Sequence, residues 1–144
     1  MTELNRQQIA SRLCLDEGNF TSVEQDTRGY WTLGNGFLVD KRAGGSLPEP
    51  VRAFWLDYLI TKTIEELVDY PSLAGIDVVR KQLVVCLLYN MGERHLNEFK
   101  NMLADLTTLS YSEAADQLAN SAWYREVGVR GPLYVRIMRT GIWE

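Results

Sequence analysis

The segment 78–91, VVRKQLVVCLLYNM, limits what this chain can become more than any other stretch. After its first turn it is apolar on every side of a helical projection, and a helix without a polar face has to be enclosed by other elements. Asp77 stands where an N-cap belongs, and Gly92 where the helix should stop. Enclosure needs partners. The sequence supplies them as short helical stretches over 98–109, 112–124 and roughly 133–139. In the second of these, Ala115, Leu118, Ala119 and Trp123 fall on the inner side.

The N-terminal half reads differently. Residues 3–17 predict a helix with Ile9, Ala10, Leu13 and Cys14 on one face, and Glu17 projects onto the middle of that face. Gly18 suits its C-cap. Over 20–40, Thr21, Val23, Tyr30, Trp31, Thr32 and Val39 alternate with Asp-Thr-Arg-Gly and Gly-Asn-Gly turns, which predicts a small antiparallel sheet of two or three strands. Such a sheet needs a helix to lie against. Residues 41–47 read as a loop, and Pro48-Glu49-Pro50 opens a helix running to about Leu67, with Val51, Phe54, Trp55, Tyr58 and Leu59 as its apolar stripe. Pro71 to Gly75 breaks the chain again.

These elements predict an α+β fold in one domain. A small antiparallel sheet lobe over about 13–50 is joined by a long helix over 51–70 to a larger helical lobe, 71–144 completed by 1–12. A length of 144 residues leaves little room for two independent cores.

Charge and composition exclude several functions. Nineteen acidic against fifteen basic residues give a net charge of −4, which argues against a nucleic-acid partner, because phosphate neutralisation needs clustered Lys and Arg. Arg125, Arg130, Arg136 and Arg139 make the C-terminal end locally basic and read as a solvated helix face. No apolar run reaches the roughly 18 residues of a membrane span, so stable membrane insertion is not expected. Glu3, Arg6 and Arg12 interrupt the first fifteen residues, which predicts synthesis in the cytoplasm without a signal peptide. Cys14 and Cys86 lie in apolar surroundings without metal-like spacing and read as free buried thiols.

The chemistry on offer is narrow. His95 is the only histidine and reads as a surface-loop residue, which disfavours Ser-His-Asp and Cys-His mechanisms and a zinc site. Gly34-Asn35-Gly36 lacks the Gly-Lys-Ser/Thr ending of a phosphate loop and reads as a turn. Carboxylates remain. Glu17, a helix-end acid on an apolar face, suits a general acid, because burial raises a carboxyl pKa towards neutrality. Asp26, in a polar turn, would stay ionised and can hold a water, with the Thr32 hydroxyl pointing into the same cleft. Adjacent Asp16 falls at the edge of the helix face as a solvated or capping group. Ordinary turn chemistry explains Asp-x-x-Gly equally well.

At these residues the sequence resembles the phage-type lysozymes, the tailed-bacteriophage endolysins and their relatives. The family pattern is a helix ending in Glu-Gly, then Asp-x-x-Gly-x-x-Thr-x-Gly-x-Gly. Glu17-Gly18 and the run Asp26 to Gly36 match it. The likeness continues through Tyr89-Asn90-Met91-Gly92, Phe99, Glu113-Ala114-Ala115, Ser121-Ala122-Trp123-Tyr124, Arg130 and Arg139-Thr140-Gly141-Ile142-Trp143. The resemblance implies a lysozyme-like monomer acting on peptidoglycan glycan strands without cofactor or metal, at the cell wall in the periplasm or from a virion. It implies Glu17 as proton donor, Asp26 as the residue positioning the nucleophile and Thr32 as the third catalytic partner. Substrate contacts would fall near Leu38, Tyr89, Met102 and Gln117. Arg130 matches a family arginine expected to touch the catalytic glutamate.

Two departures stand out. Phe37 occupies the place where family members commonly carry His, which removes that residue's ion pair with the position of Asp57 and leaves Asp57 to find another partner; Phe37 is expected to pack at the lobe junction instead. The chain is also acidic where well-studied relatives are often basic. A lytic transglycosylase and a non-catalytic wall-binding or virion domain are the alternatives to hydrolysis.

Overall fold

The computed structural model describes residues 4–17, 23–25, 27, 31–33, 37–40 and 49–144. The chain divides into two compact units, Arg6–Lys62 and Thr63–Glu144 with Met1–Asn5.

The smaller unit begins with α1 (Arg6–Glu17), whose Ile9 and Leu13 are fully buried. Three short strands follow, β1 (Val23–Gln25), β2 (Trp31–Leu33) and β3 (Phe37–Asp40), antiparallel in the order β1-β2-β3. Trp31 pairs with Asp40 but Thr32 with Leu38, so Val39 is an extra residue that bulges β3. Helix α2 (Glu49–Glu65) then begins, and the division between the units falls at Lys62 in its last turn.

Helix α2 corrects an expectation. Its buried residues are Arg52, Leu56, Ile60 and Thr63, whereas Val51, Phe54, Trp55 and Tyr58 of the predicted stripe are exposed, Phe54 to 75%. The helix is apolar on two sides, so periodicity alone could not choose between them.

The larger unit is built on α3 (Val78–Leu96), in which Leu83 to Leu88 are all nearly inaccessible to solvent. Asp77 caps it, its Oδ1 accepting from the Arg80 N–H at 3.1 Å. Gly92 takes φ 77 and ψ 161, outside helical geometry, so the helix from Val78 breaks there as the sequence predicts, and a short further helical stretch completes α3 to Leu96. His95 therefore lies in the final turns of α3, exposed, with Nδ1 2.9 Å from Met91 O. Around α3 are α4 (Lys100–Thr107), α5 (Tyr111–Ala119), α6 (Ala122–Glu126) and α7 (Arg130–Thr140). The stretch read as one helix over 112–124 is thus two: Ser121 breaks it and caps α6 by accepting from the Tyr124 N–H at 3.0 Å. Helix α7 packs on α3, α5 and α6, and α4 packs on α5.

The α+β class is not what the molecule adopts. Seven α-helices and two 3-10 turns, Glu66–Asp69 and Pro71–Leu73, dominate the described residues, while extended backbone is confined to strands of three or four residues. The chain is predominantly helical, and sheet among the described residues is limited to the short antiparallel β1-β2-β3 patch, too small to make the fold α+β. β-branched and aromatic residues over 20–40 read as strand-forming, but they are broken by turn residues too often for a strand of ordinary length. The described parts also assign all of α1 to the smaller unit; Asn5, whose N–H donates to Gln82 Oε1 at 2.7 Å, belongs with α3. No helix among the described residues is long and apolar enough to cross a membrane.

Candidate functional site

Glu17 is the last residue of α1, four positions after Leu13 and eight after Ile9. Residues at that spacing lie one above the other on a helix, and burial falls along the column from the fully buried Ile9 and Leu13 to the half-buried Glu17. The carboxylate therefore ends an apolar column. The neighbouring acid is placed otherwise than the sequence implies. Asp16 Oδ1 lies 3.7 Å from Arg12 Nη1, and the two side chains are only 5% and 7% exposed. Asp16 is a buried ion-pair partner, not a solvated cap.

Both ends of α1 are tied to α2. Arg6 Nη2 donates to Asp57 Oδ1 at 2.7 Å and to the Asp57 carbonyl at 2.8 Å, and also bonds the Thr61 hydroxyl. Arg6 is thus the partner that Asp57 finds in this chain, where Phe37 can supply none. Towards the other end, buried Arg52 bonds both oxygens of Glu49 and the thiol of Cys14. The hydrogen bond to Glu49 raises the guanidinium pKa further, against the opposing effect of burial. Cys14 is half-buried and Cys86 buried, neither in a disulfide; the expectation of two buried thiols holds only for Cys86.

Thr32 sits at the centre of β2, half-buried, with Glu24 opposite on β1 and Leu38 opposite on β3. The bulge at Val39 adjoins this pairing. A bulge changes strand direction locally and re-aims neighbouring residues, and here it fixes the register that sets Leu38 against Thr32. Asp26, Gly18, Gly34-Asn35-Gly36 and the 41–47 loop lie outside the described residues, as do the side chains of Phe37 and Leu38.

The other expected contacts belong to the larger unit. Tyr89 is half-buried on α3, Met102 is 1% exposed on α4, and Gln117 is exposed on α5. Met102 is thus a core residue. Arg130 opens α7, half-buried, and the next residue explains its placement: a Cβ on Gly131 would lie 2.8 Å from Tyr124 Cδ2 and 3.0 Å from Tyr124 O. Only glycine lets the first turn of α7 sit this close to α6. Trp123 Nε1 donates to Asn90 Oδ1 at 2.7 Å, and its ring lies 5.5 Å from that of Tyr134, joining α6 to α3 beside Tyr89 and to α7.

Sequence reasoning passed over Arg80. Its Nη1 bonds Asp77 Oδ2 at 2.7 Å, its Nε and Nη2 bond the Met138 and Arg139 carbonyls at 2.6 and 2.9 Å, and its guanidinium lies 3.6 Å from the Tyr111 ring centroid. One arginine thereby joins the start of α3 to α5 and caps the end of α7. The signal was present as Asp-x-x-Arg at the start of α3. Among the described residues no group of three or more His, Cys, Asp or Glu side chains is placed to hold a metal.

No protein-family model matches the chain. It is similar to two proteins of Dictyostelium discoideum. Probable T4-type lysozyme 1 is 26% identical over 163 aligned positions, covering 92% of this chain and 94% of that protein. Probable T4-type lysozyme 2 is 24% identical over 160 positions, with the same coverage. Similarity sustained over nearly the whole of both chains supports a lysozyme-type family.

Proposed function

We propose that this chain is a peptidoglycan N-acetylmuramidase, hydrolysing the β-1,4 bond between N-acetylmuramic acid and N-acetylglucosamine. A lysozyme-like glycosidase is supported by similarity along 92% of the chain to two T4-type lysozymes. The observation that carries the chemistry is the placement of Glu17, half-buried at the end of the Ile9–Leu13 column on the last turn of α1.

In this reading Glu17 protonates the glycosidic oxygen as the bond breaks. Asp26 takes up the proton of a water that the Thr32 hydroxyl helps to hold, and the water attacks the anomeric carbon from the opposite face. Single displacement inverts that carbon, and a carboxyl separation of roughly 6.5–9.5 Å is the spacing inversion requires. Leu38 in the smaller unit and Tyr89 and Gln117 in the larger contact the glycan, with Met102 in the core of the larger unit and Arg130 at the start of α7 as supporting residues. No cofactor enters the reaction. The protein works as a monomer on the bacterial wall, in lysis or in wall penetration by a phage.

Purified peptidoglycan tests this directly. Wild-type protein should clear a suspension and release reducing ends, and Asp26→Ala should not. Activity that survives Asp26→Ala and yields anhydro sugar ends would identify a lytic transglycosylase instead.

A further inference from the structure

The larger unit contains a cavity that plays no part in glycan cleavage as proposed. It has a volume of about 710 Å³ and is formed by the N-terminal Leu4, the end of α2, the two 3-10 turns and the first half of α3. Its wall is almost wholly apolar. Ile64, Leu67, Leu73, Ile76 and Val84 line it, and Val68 stands at its edge, 78% exposed. Pro71 and the turn it begins form part of its wall between α2 and α3. Apolar surface held open to water is unfavourable unless something covers it, and the volume falls within the roughly 300–1,000 Å³ typical of small-molecule sites.

Charge narrows the choice of ligand. Lys81 is the one charged side chain among the lining residues. Its ammonium donates to the Ala74 carbonyl at 2.8 Å and pairs with no carboxylate among the described residues. The Tyr70 side has the opposite character: burial first, then Glu93, Glu66 and Asp69, raise its phenol pKa, so negative potential surrounds that ring. The Tyr70 hydroxyl is engaged with Asn97 Oδ1 at 2.9 Å. Lys81 is thus the cation available to an anionic head group, while the negative potential at Tyr70 disfavours one there.

We propose that this cavity binds a small anionic amphiphile of the fatty-acid class, with its alkyl chain against Ile64, Leu67 and Val68 and its carboxylate at Lys81. The test uses the intact protein and decanoate below its micellar concentration, with decanol and decyltrimethylammonium for comparison, followed by calorimetry and by amide chemical shifts. Decanoate should bind at one saturable site about tenfold more tightly than decanol, as a charge-assisted contact provides, with the cation weakest. Ala74 lies at the mouth and is exposed, so Ala74→Trp should block binding while circular dichroism stays unchanged. Lys81→Gln should reduce decanoate affinity about tenfold and leave decanol unaffected. The proposal fails if decanoate does not saturate, if Ala74→Trp binds as wild type does, or if the cation binds as well as the anion. It also fails if ultracentrifugation shows a second copy covering this face.

Discussion

The Arg12–Asp16 pair is buried, so removing either charge disturbs the charge balance around the other. Asp16→Asn is therefore expected to destabilise the fold near the lower end of about 3–5 kcal/mol, since 3.7 Å is long for a direct hydrogen bond. Replacing both residues with apolar ones of similar size should recover most of that loss, as denaturant midpoints of the single and double variants would show. The reason for the pair was hidden in the sequence. Arg12 and Asp16 have the i,i+4 spacing of a solvated surface pair, and spacing says nothing of burial. Glu17 was legible because Ile9 and Leu13 precede it at intervals of four. Arg80 makes a pH-dependent contribution through Asp77. Burial pushes the Asp77 carboxyl up, but the hydrogen bonds and charge of Arg80 outweigh it and hold the pKa below the usual carboxylate range. Its stabilisation is therefore fully present above the unfolded pKa of about 3.9 and lost as pH falls through the lower folded value. Asp77→Asn should flatten this acid limb of a thermal-stability profile.

Between helices, two glycines set the packing. Gly131→Ala would drive a methyl into Tyr124 and should cost about 1–3 kcal/mol, read as a lowered thermal midpoint. Gly141 caps α7 at φ 69 beside the Arg80 guanidinium, so alanine there meets both backbone strain and the group that caps the helix. Among the elements, α3 was the most legible, because a segment apolar all round admits one reading. Helix α2 was the least, since Leu56 and Ile60 compete with Phe54 and Tyr58 for the inner face. The division of 112–124 at Ser121 was also missed, although Ser is a strong cap; Trp123 kept helical register with Ala119 and masked the break.

For the molecule as a whole, the α+β expectation gave short strands too much weight beside seven helices, whereas the resemblance carried by Glu17, Thr32 and the Tyr89–Gly92 run extends along the chain as the similarity to the Dictyostelium proteins does. Net charge has its own consequence. A protein of charge −4 approaching an anionic wall is repelled at low ionic strength, so clearing should accelerate between about 10 and 150 mM salt as the Debye length falls from roughly 30 to 8 Å. A basic lysozyme would do the reverse. The central claim is that Glu17 is the proton donor of a glycosidase, and the most direct measurement is the turbidity clearing of purified peptidoglycan by wild type beside Glu17→Gln, both confirmed as folded. Loss of a general acid predicts a rate lower by about 10²–10⁴-fold. Equal clearing by the two proteins would contradict the claim.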